Sequence, residues 1–312
     1  MAHVKERTLP LGVDFGASRV RIAAVSRAGT GRTRLLATGA ADIGDDPREA
    51  LRLALGAIPG TERRGIAAIR TCDARLRSIR FPRMRMGELR RAIRFEGVSM
   101  FGERVEDDAI AVRSATIGAE TLVAAAPSRK VKETIDVLAS CGIRVVAVDH
   151  EACILARASQ LPLLDIGLER STLIAMSNSM PVVRSIALGG AFFTDALARE
   201  LGASRQIAEM RKRTIGLCGA ANEALDAYVR ALGAQLEALQ LEGSNTLFVC
   251  GNGARLSSLR AKIADTFALR VATVDLRSLI EADLPPEVEQ AGAFDWYGAV
   301  ASTLPSSTVN AA

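Results

Sequence analysis

The sequence predicts an α/β protein of two similar lobes, each with a mixed sheet and helices, and an α+β subdomain inserted in the first lobe. Three observations predict it. Apolar runs at strand spacing alternate with helical patterns along most of the chain. The order strand, Asp, apolar residue, Gly, short turn, strand in LGVDFGASRVRIAAV returns in LPLLDIGLERSTLIAM, as in an internal duplication. Between these two copies the character changes to a basic, compact α+β segment. The 312 residues can bury a core of that size.

Residues from about 11 to 40 read as three strands in a meander, the second turn marked by Gly29 and Gly31. DDPREALRLALGAI then opens a helix with acids and Pro47, and puts Ala50, Leu51, Ala54, Leu55 and Ile58 on one face. Gly65 to Arg70 is an apolar strand, and the first lobe is expected over 1–74. The insertion is expected over 75–145: a basic stretch, the helix MGELRRAIRFEGVSMF, strands DDAIAVRSATI and ETLVAAAP, and the helix SRKVKETIDVLASCGI, capped by Ser128 and followed by Gly142. A strand and helix at 146–160 return to the first lobe. The second lobe takes 161–285, with a small helical subdomain at about 200–243 and a buried strand, NTLFVC, ending in a Gly-Asn-Gly turn. A final helix is expected over 286–305, and 306–312 reads as a disordered tail.

Composition narrows the function. Hydrophobic residues make up 49% and charged residues 24%, ordinary for a soluble globular chain. Aromatics are only 4%, too few for nucleic-acid stacking platforms, so no nucleic acid is expected as partner. The net charge is +5, and much of the excess sits in IRFPRMRMGELRRAIRFE. That stretch reads as a solvated basic face or as a surface for an acidic or membrane-adjacent partner. The five cysteines, Cys72, Cys141, Cys153, Cys218 and Cys250, have no CxxC spacing and read as reduced core thiols of a cytosolic protein. His3 and His150 are the two histidines, which excludes a zinc cluster or a His-based triad. The N-terminus has no apolar signal region and no charge-free run reaches membrane-spanning length, so the expectation is a cytoplasmic protein without direct membrane insertion.

Three Gly-containing turns stand in order: DFGAS (Asp14 to Ser18), DIGLERST (Asp165 to Thr172) and GNGARL (Gly251 to Leu256). Glycine lets a backbone approach phosphate oxygens closely, and an Asp beside each of the first two could hold magnesium through water. The third turn opens a helix, a favourable place for a nucleotide.

These turns, in this order, resemble those of the actin-like ATPase fold. Within it the chain is similar to the PilM family of type IV pilus assembly proteins, through LGVDFGASRVRIAAV, ELRRAIRFEGVSMF, VDHEACILARA and SIALGGAFFTDALARELGASRQIAEMRKR. The insertion site looks like the PilM and FtsA arrangement. The resemblance implies that ATP with magnesium binds between the lobes. Asp14 and Asp165 would organise the magnesium, and Gly16, Ala17, Ser18 and Gly167 would line the phosphates. Arg21 would stand in for a phosphate-contacting Lys, and Gly251, Asn252, Gly253 and Ala254 would form the adenosine loop. Leu168, Glu169 and Arg170 depart from the small residues of the family's second turn and place a carboxylate near phosphate. Glu151 is the nearest candidate for a hydrolytic base, or else a helix-start acid. The final helix should cross back to the first lobe.

The resemblance further implies an assembly role at the inner face of the inner membrane, in a type IV pilus or a related secretion or competence machine. The partner would be the N-terminal tail of a PilN-like membrane protein, held in a groove beside the insertion helix that carries Leu89, Ile93 and Phe101. Pilus motor ATPases and further copies of the chain are additional expected partners. Two other readings are a small-molecule kinase, for which no substrate base shows a signature, and an FtsA-like membrane tether, for which STLPSSTVNAA offers no amphipathic helix.

Overall fold

A computed structural model describes residues 7–27, 33–60, 63–82, 84–102, 104–105, 107–114, 120–158, 162–177, 180–239, 244–280, 284, 288–289 and 292–304. The turn expected at Gly29 and Gly31 and the tail at 306–312 lie outside these residues.

In the first lobe β1 (Arg7–Thr8), β2 (Leu11–Phe15), β3 (Arg19–Arg27) and β4 (Thr33–Asp42) run antiparallel in sequence around β3. β1 precedes β2 on the same edge of β3, interrupted at Pro10, which has no N–H to give. β5 (Arg63–Ile69) joins β2 in parallel, and β9 (Ile143–His150) joins β5 in parallel. The second lobe consists of β10 (Leu163–Ile166), β11 (Ser171–Ser177), β12 (Met180–Ile186), β13 (Thr246–Cys250) and β14 (Arg270–Thr273). Its order, β12-β11-β10-β13-β14, repeats β4-β3-β2-β5-β9 position by position, with the same parallel and antiparallel senses. The sequence echo is thus an echo of topology. β14 carries no strong sequence signal.

The inserted sheet has the order β6-β8-β7, from β6 (Arg75–Arg80), β7 (Asp108–Ser114) and β8 (Glu120–Pro127). Helices α2 (Met86–Phe95) and α3 (Gly97–Phe101) cover it and bury Leu89, Ile93 and Phe101 against Val105, Val123 and Ala125. The boundary expected at residue 145 is too late. α4 (Ser128–Ser140) buries Leu138 among Leu11, Val13 and Leu51 of the first lobe, and β9 pairs with β5. The reason is topological: two parallel strands need a crossover, and α4 is the helix that delivers β9 beside β5. Ser128 is the first helical residue of α4 and makes no cap.

α1 (Pro47–Leu55) starts as read, with the Asp46 carboxylate accepting the Arg48 N–H at 2.9 Å. Its inner face, Ala50, Leu51, Ala54 and Leu55, packs on the first sheet. In the second lobe α6 (Gly190–Leu201), α7 (Arg205–Ile215) and α8 (Asn222–Leu239) share one core with β10 and β11, centred on Phe193 and Tyr228. α7 and α8 therefore belong to that lobe's core. α9 (Ser257–Phe267) adds Leu259 and Ile263 to the same core and packs beside α8 and β14.

The helix expected over 286–305 is shorter. Gly292 takes φ +90, a 3-10 turn covers Ala293–Asp295, and α10 runs Tyr297–Thr303. α10 crosses back onto β2, β3 and β5, where a Cβ on Gly12 would collide with the Ala299 carbonyl. α5 (Glu151–Ala158) lies between the lobes, and one apolar cluster joins Ala23 and Val25, Leu163 and Ile174, and Trp296 and Tyr297. The cysteines differ from the expectation: Cys250 is buried, Cys141 and Cys153 are half-buried, and Cys72 and Cys218 are exposed, and none of the five is in a disulfide.

Candidate functional site in the interlobe cleft

The equal topologies place equal turns at equal strand ends. β2 ends in a turn where Gly16 N–H donates to Arg19 O at 2.9 Å, and β10 ends in one where Gly167 N–H donates to Arg170 O at 3.1 Å. Both turns face one cleft of about 1010 Å³, also lined by Asp14, Asp165, Glu151 and Asn252. Ala17 and Ser18 are answered by Leu168 and Glu169, so the two turns present matching backbone with unlike side chains. Glu169 and Arg170 are both exposed, and Arg170 donates to Ser185 Oγ at 3.1 Å.

The third turn closes the set. Gly251, at φ +77, leaves no room for a Cβ against Asp165 and the Ile166 carbonyl, so only glycine suits this approach. Asn252 to Arg255 form a 3-10 turn with Gly253 and Ala254 buried beneath it. Asn252 Oδ1 accepts from Arg21 Nη2 at 3.1 Å, a bond from the first lobe to the second. Arg21 faces Asp14 across the β2–β3 pair. Arg21, buried at the cleft floor, thus donates to Asn252 and acts on the Asp14 carboxylate through its charge.

Three carboxylates converge here. Withdrawal from water pushes the Asp14 carboxyl up, with Arg21 opposing. The same cause, reinforced by Asp14, raises Asp165 to about 6, and Cys250 Sγ lies 3.6 Å from Asp165 Oδ1. Glu151 is pushed up to about 7 by desolvation and by Asp165, although Thr71 donates both its N–H (2.8 Å) and its hydroxyl (3.0 Å) to Glu151 Oε2. Glu151 therefore does not cap its own helix; its carboxyl is held towards the cleft. With Arg21 the inner cation facing three acids, the floor has surplus negative charge, which fits a divalent cation with its water shell. Among the described residues no group of three or more side chains is placed to ligate a metal directly.

A second recess opens beside the first, sharing Ser18, Arg19, Gly167, Leu168 and Asn252 with it. Its far wall was not legible in the sequence. There Lys212 Nζ donates to Gly190 O (2.7 Å) and Thr194 Oγ1 (2.6 Å) and pairs with Glu209 (2.7 Å). Although partial burial pushes the Glu209 carboxyl up, Lys212 first and then Thr194 and Arg213, which also bond it, hold it down at about 2. The i, i+3, i+4 spacing of Glu209, Lys212 and Arg213 was the available signal. Gly189 and Gly190 bring the start of α6 against the second turn: Gly190 N–H donates to Gly167 O (2.8 Å) and Ala191 N–H to Leu168 O (2.7 Å).

Leu89, Ile93 and Phe101 do not line a groove. All three are interior to the insertion, because α2 and α3 must cover the inserted sheet. A groove does lie between insertion and first lobe, about 490 Å³ in size, with Ala109, Ile110 and Ala111 of β7 on one side and Val148, Asp149 and His150 of β9 on the other. Among the described residues β7 pairs with β8 alone and β9 with β5 alone, so both strands keep an unpaired edge.

No protein-family model matches the chain, and no curated protein matches it in sequence. Solved structures do match. One, from a PilM–PilN type IV pilus biogenesis complex, superposes with a TM-score of 0.82 over 94% of this chain and 97% of the other, at 21% identity. The chain has the actin-like ATPase fold. The ethanolamine utilization protein EutJ of Carboxydothermus hydrogenoformans matches at TM-score 0.58, 12% identity, over 95% and 89% of the chains. The cytoplasmic domain of EpsL, an inner membrane component of the type II secretion system of Vibrio cholerae, matches at 0.51, 15% identity, over 93% and 100%. In this actin-like chain the cleft between the two lobes is where the three glycine turns meet. No helix among the described residues is long and apolar enough to cross a membrane.

Proposed function

We propose that the chain is an actin-like assembly protein of a type IV pilus or related secretion or competence machine, cytoplasmic and recruited to the inner face of the inner membrane. Its partner is the short N-terminal tail of a PilN-like membrane protein. The observation that carries this reading is the near end-to-end superposition on a chain solved in a PilM–PilN complex. The groove between β7 and β9 supports it, since an extended apolar peptide can add to an unpaired strand edge and bury its side chains in that recess. Motor ATPases and further copies of the chain are additional partners of such a machine.

In the same reading the cleft binds ATP with magnesium, weakly. Asp14 and Asp165 hold the cation through water, the turns at Gly16–Ser18 and Gly167 face the phosphates together with Arg21, and Gly251–Ala254 face the nucleoside. Magnesium there would neutralise phosphate charge beside the acids. Glu151, with its carboxyl near neutrality, is placed to take a proton from water, and turnover is slow because Glu169 opposes the phosphates. A small-molecule kinase is the second reading, and the cleft alone would serve it equally.

Titration calorimetry with the tail of a single-span membrane protein encoded beside this chain tests the proposal. Saturable binding is expected, lost when Ala111→Arg narrows the groove while the fold is retained. No binding by the folded chain, together with phosphate transfer to a small molecule, would establish the kinase instead.

A further inference from the structure

The stretch Ile79 to Glu96 carries six arginines and two glutamates, so 18 residues supply four of the chain's five net positive charges. Neither the cleft nor the β7–β9 groove uses them. On α2, Leu89 and Ile93 face inward, which turns Arg91, Arg94 and Phe95 outward, and Val98 follows on α3 at the same face. Phe95 is 87% exposed and Val98 56%. Glu88, the acid of this helix, is turned back to its start, where Oε2 accepts the Arg85 N–H at 2.9 Å.

We propose that this outer face of the insertion docks peripherally on an anionic lipid bilayer, with the arginines at the headgroups and Phe95 reaching below them. Arginine is drawn to an acidic surface by roughly 1 kcal/mol per side chain, and an aromatic ring gains by entering the headgroup boundary. Phe95 and Val98 stand exposed on a pair of short helices and line none of the recesses described above. A yielding headgroup layer accommodates such points, whereas an acidic protein surface would need a pocket shaped for each. Long arginine stems let the charges stay at the headgroups while the ring goes deeper. The inference is independent of the tail-docking proposal, because it uses different residues and a different face.

The test is vesicle co-sedimentation of the full chain, using phosphatidylcholine vesicles with and without 30% phosphatidylglycerol. Binding is expected to the anionic vesicles alone, and to fall at least tenfold in 0.5 M salt. Arg91→Glu with Arg94→Glu should reduce it at least tenfold. Arg230→Glu with Arg270→Glu, exposed arginines of the second lobe that change net charge equally, should not. Phe95→Ser, at constant charge, should weaken binding severalfold, and Phe95→Trp should shift its fluorescence to the blue on anionic vesicles. Equal loss in the two double variants, or an indifferent Phe95→Ser, would overturn the proposal. So would a folded chain that ignores anionic vesicles, and retention of tail binding in that case would show the tail proposal standing alone.

Discussion

At the scale of single residues, two neighbours at the end of β9 carry opposite acid–base linkages. Burial holds His150 down at about 4, with the Ala152 N–H donating to Nδ1, so the imidazole is neutral in the fold. Its unfolded value is near 6.5, so the fold loses stability as pH falls from there towards 4. Glu151 is raised from 4.5 to about 7, so the fold binds its proton more tightly than the unfolded chain does. Stability from this group is highest below pH 4.5 and declines as pH rises to 7. Glu151→Gln, which keeps an acceptor for Thr71, should therefore stabilise by about 2 kcal/mol at pH 8 and by nothing at pH 4, as read from denaturant unfolding at each pH. A constant difference across that range would show that Glu151 is solvated. For the cleft, calorimetry with magnesium and ATP should lose all signal in Asp14→Ala. Glu169→Ser should tighten binding by less than about 1 kcal/mol, because Glu169 is exposed and its repulsion is screened. Asp14 and Asp165 were legible as the acids of Asp-x-Gly turns, since a carboxylate at an apolar strand end needs a partner. The Arg21–Asn252 bond was not, because 231 residues separate the two and no local pattern encodes it.

At the scale of elements, the start of α6 shows how a short motif is enforced by its neighbours. A Cβ on Gly189 would sit 2.6 to 2.7 Å from backbone atoms of Leu168, Arg170 and Gly167, whereas one on Gly190 would stand at ordinary contact distance, 3.5 to 3.9 Å, from Lys212 Nζ, the Gly167 carbonyl oxygen and Leu168 Cα. Gly189→Ala should then cost about 1–3 kcal/mol and disturb the second turn, while Gly190→Ala should be near neutral. Thermal melts of the two variants give the comparison, and equal melting points would contradict it. The same logic separates what sequence shows about elements from what it hides. α1 was legible because its start, its proline and its apolar face agree. The insertion boundary was not, because α4 is amphipathic whichever body it packs on; only the pairing of β9 with β5 assigns it. The interior position of Leu89, Ile93 and Phe101 follows from the face that α2 turns to the inserted sheet. Helical spacing names that face without saying what covers it. β14 is four residues with an exposed start, too short for a periodic signal.

At the scale of the whole molecule, the insertion leaves and re-enters the first lobe at adjacent points, since Arg75 and Ala125 are partners across β6 and β8. Replacing 75–126 by a short glycine linker should leave the two lobes folded and abolish tail binding, because one wall of the groove is gone. Melting should stay cooperative at a lower midpoint, as Leu76 and Leu122 leave the interlobe cluster; a molten far-ultraviolet and near-ultraviolet dichroism pattern would contradict this. The crossing of α10 has a consequence in time. Tyr297, Ala299, Val300 and Ala301 fill the face of a sheet whose first strands begin at the opposite end of the chain. At 5–20 residues per second, a ribosome needs roughly 12–47 s between completing β5 and completing α10. Through that interval the part of the first sheet's apolar face that Tyr297–Ala301 will cover has not received its own helix, so the first lobe cannot reach its final packing until the chain has been made through Thr303.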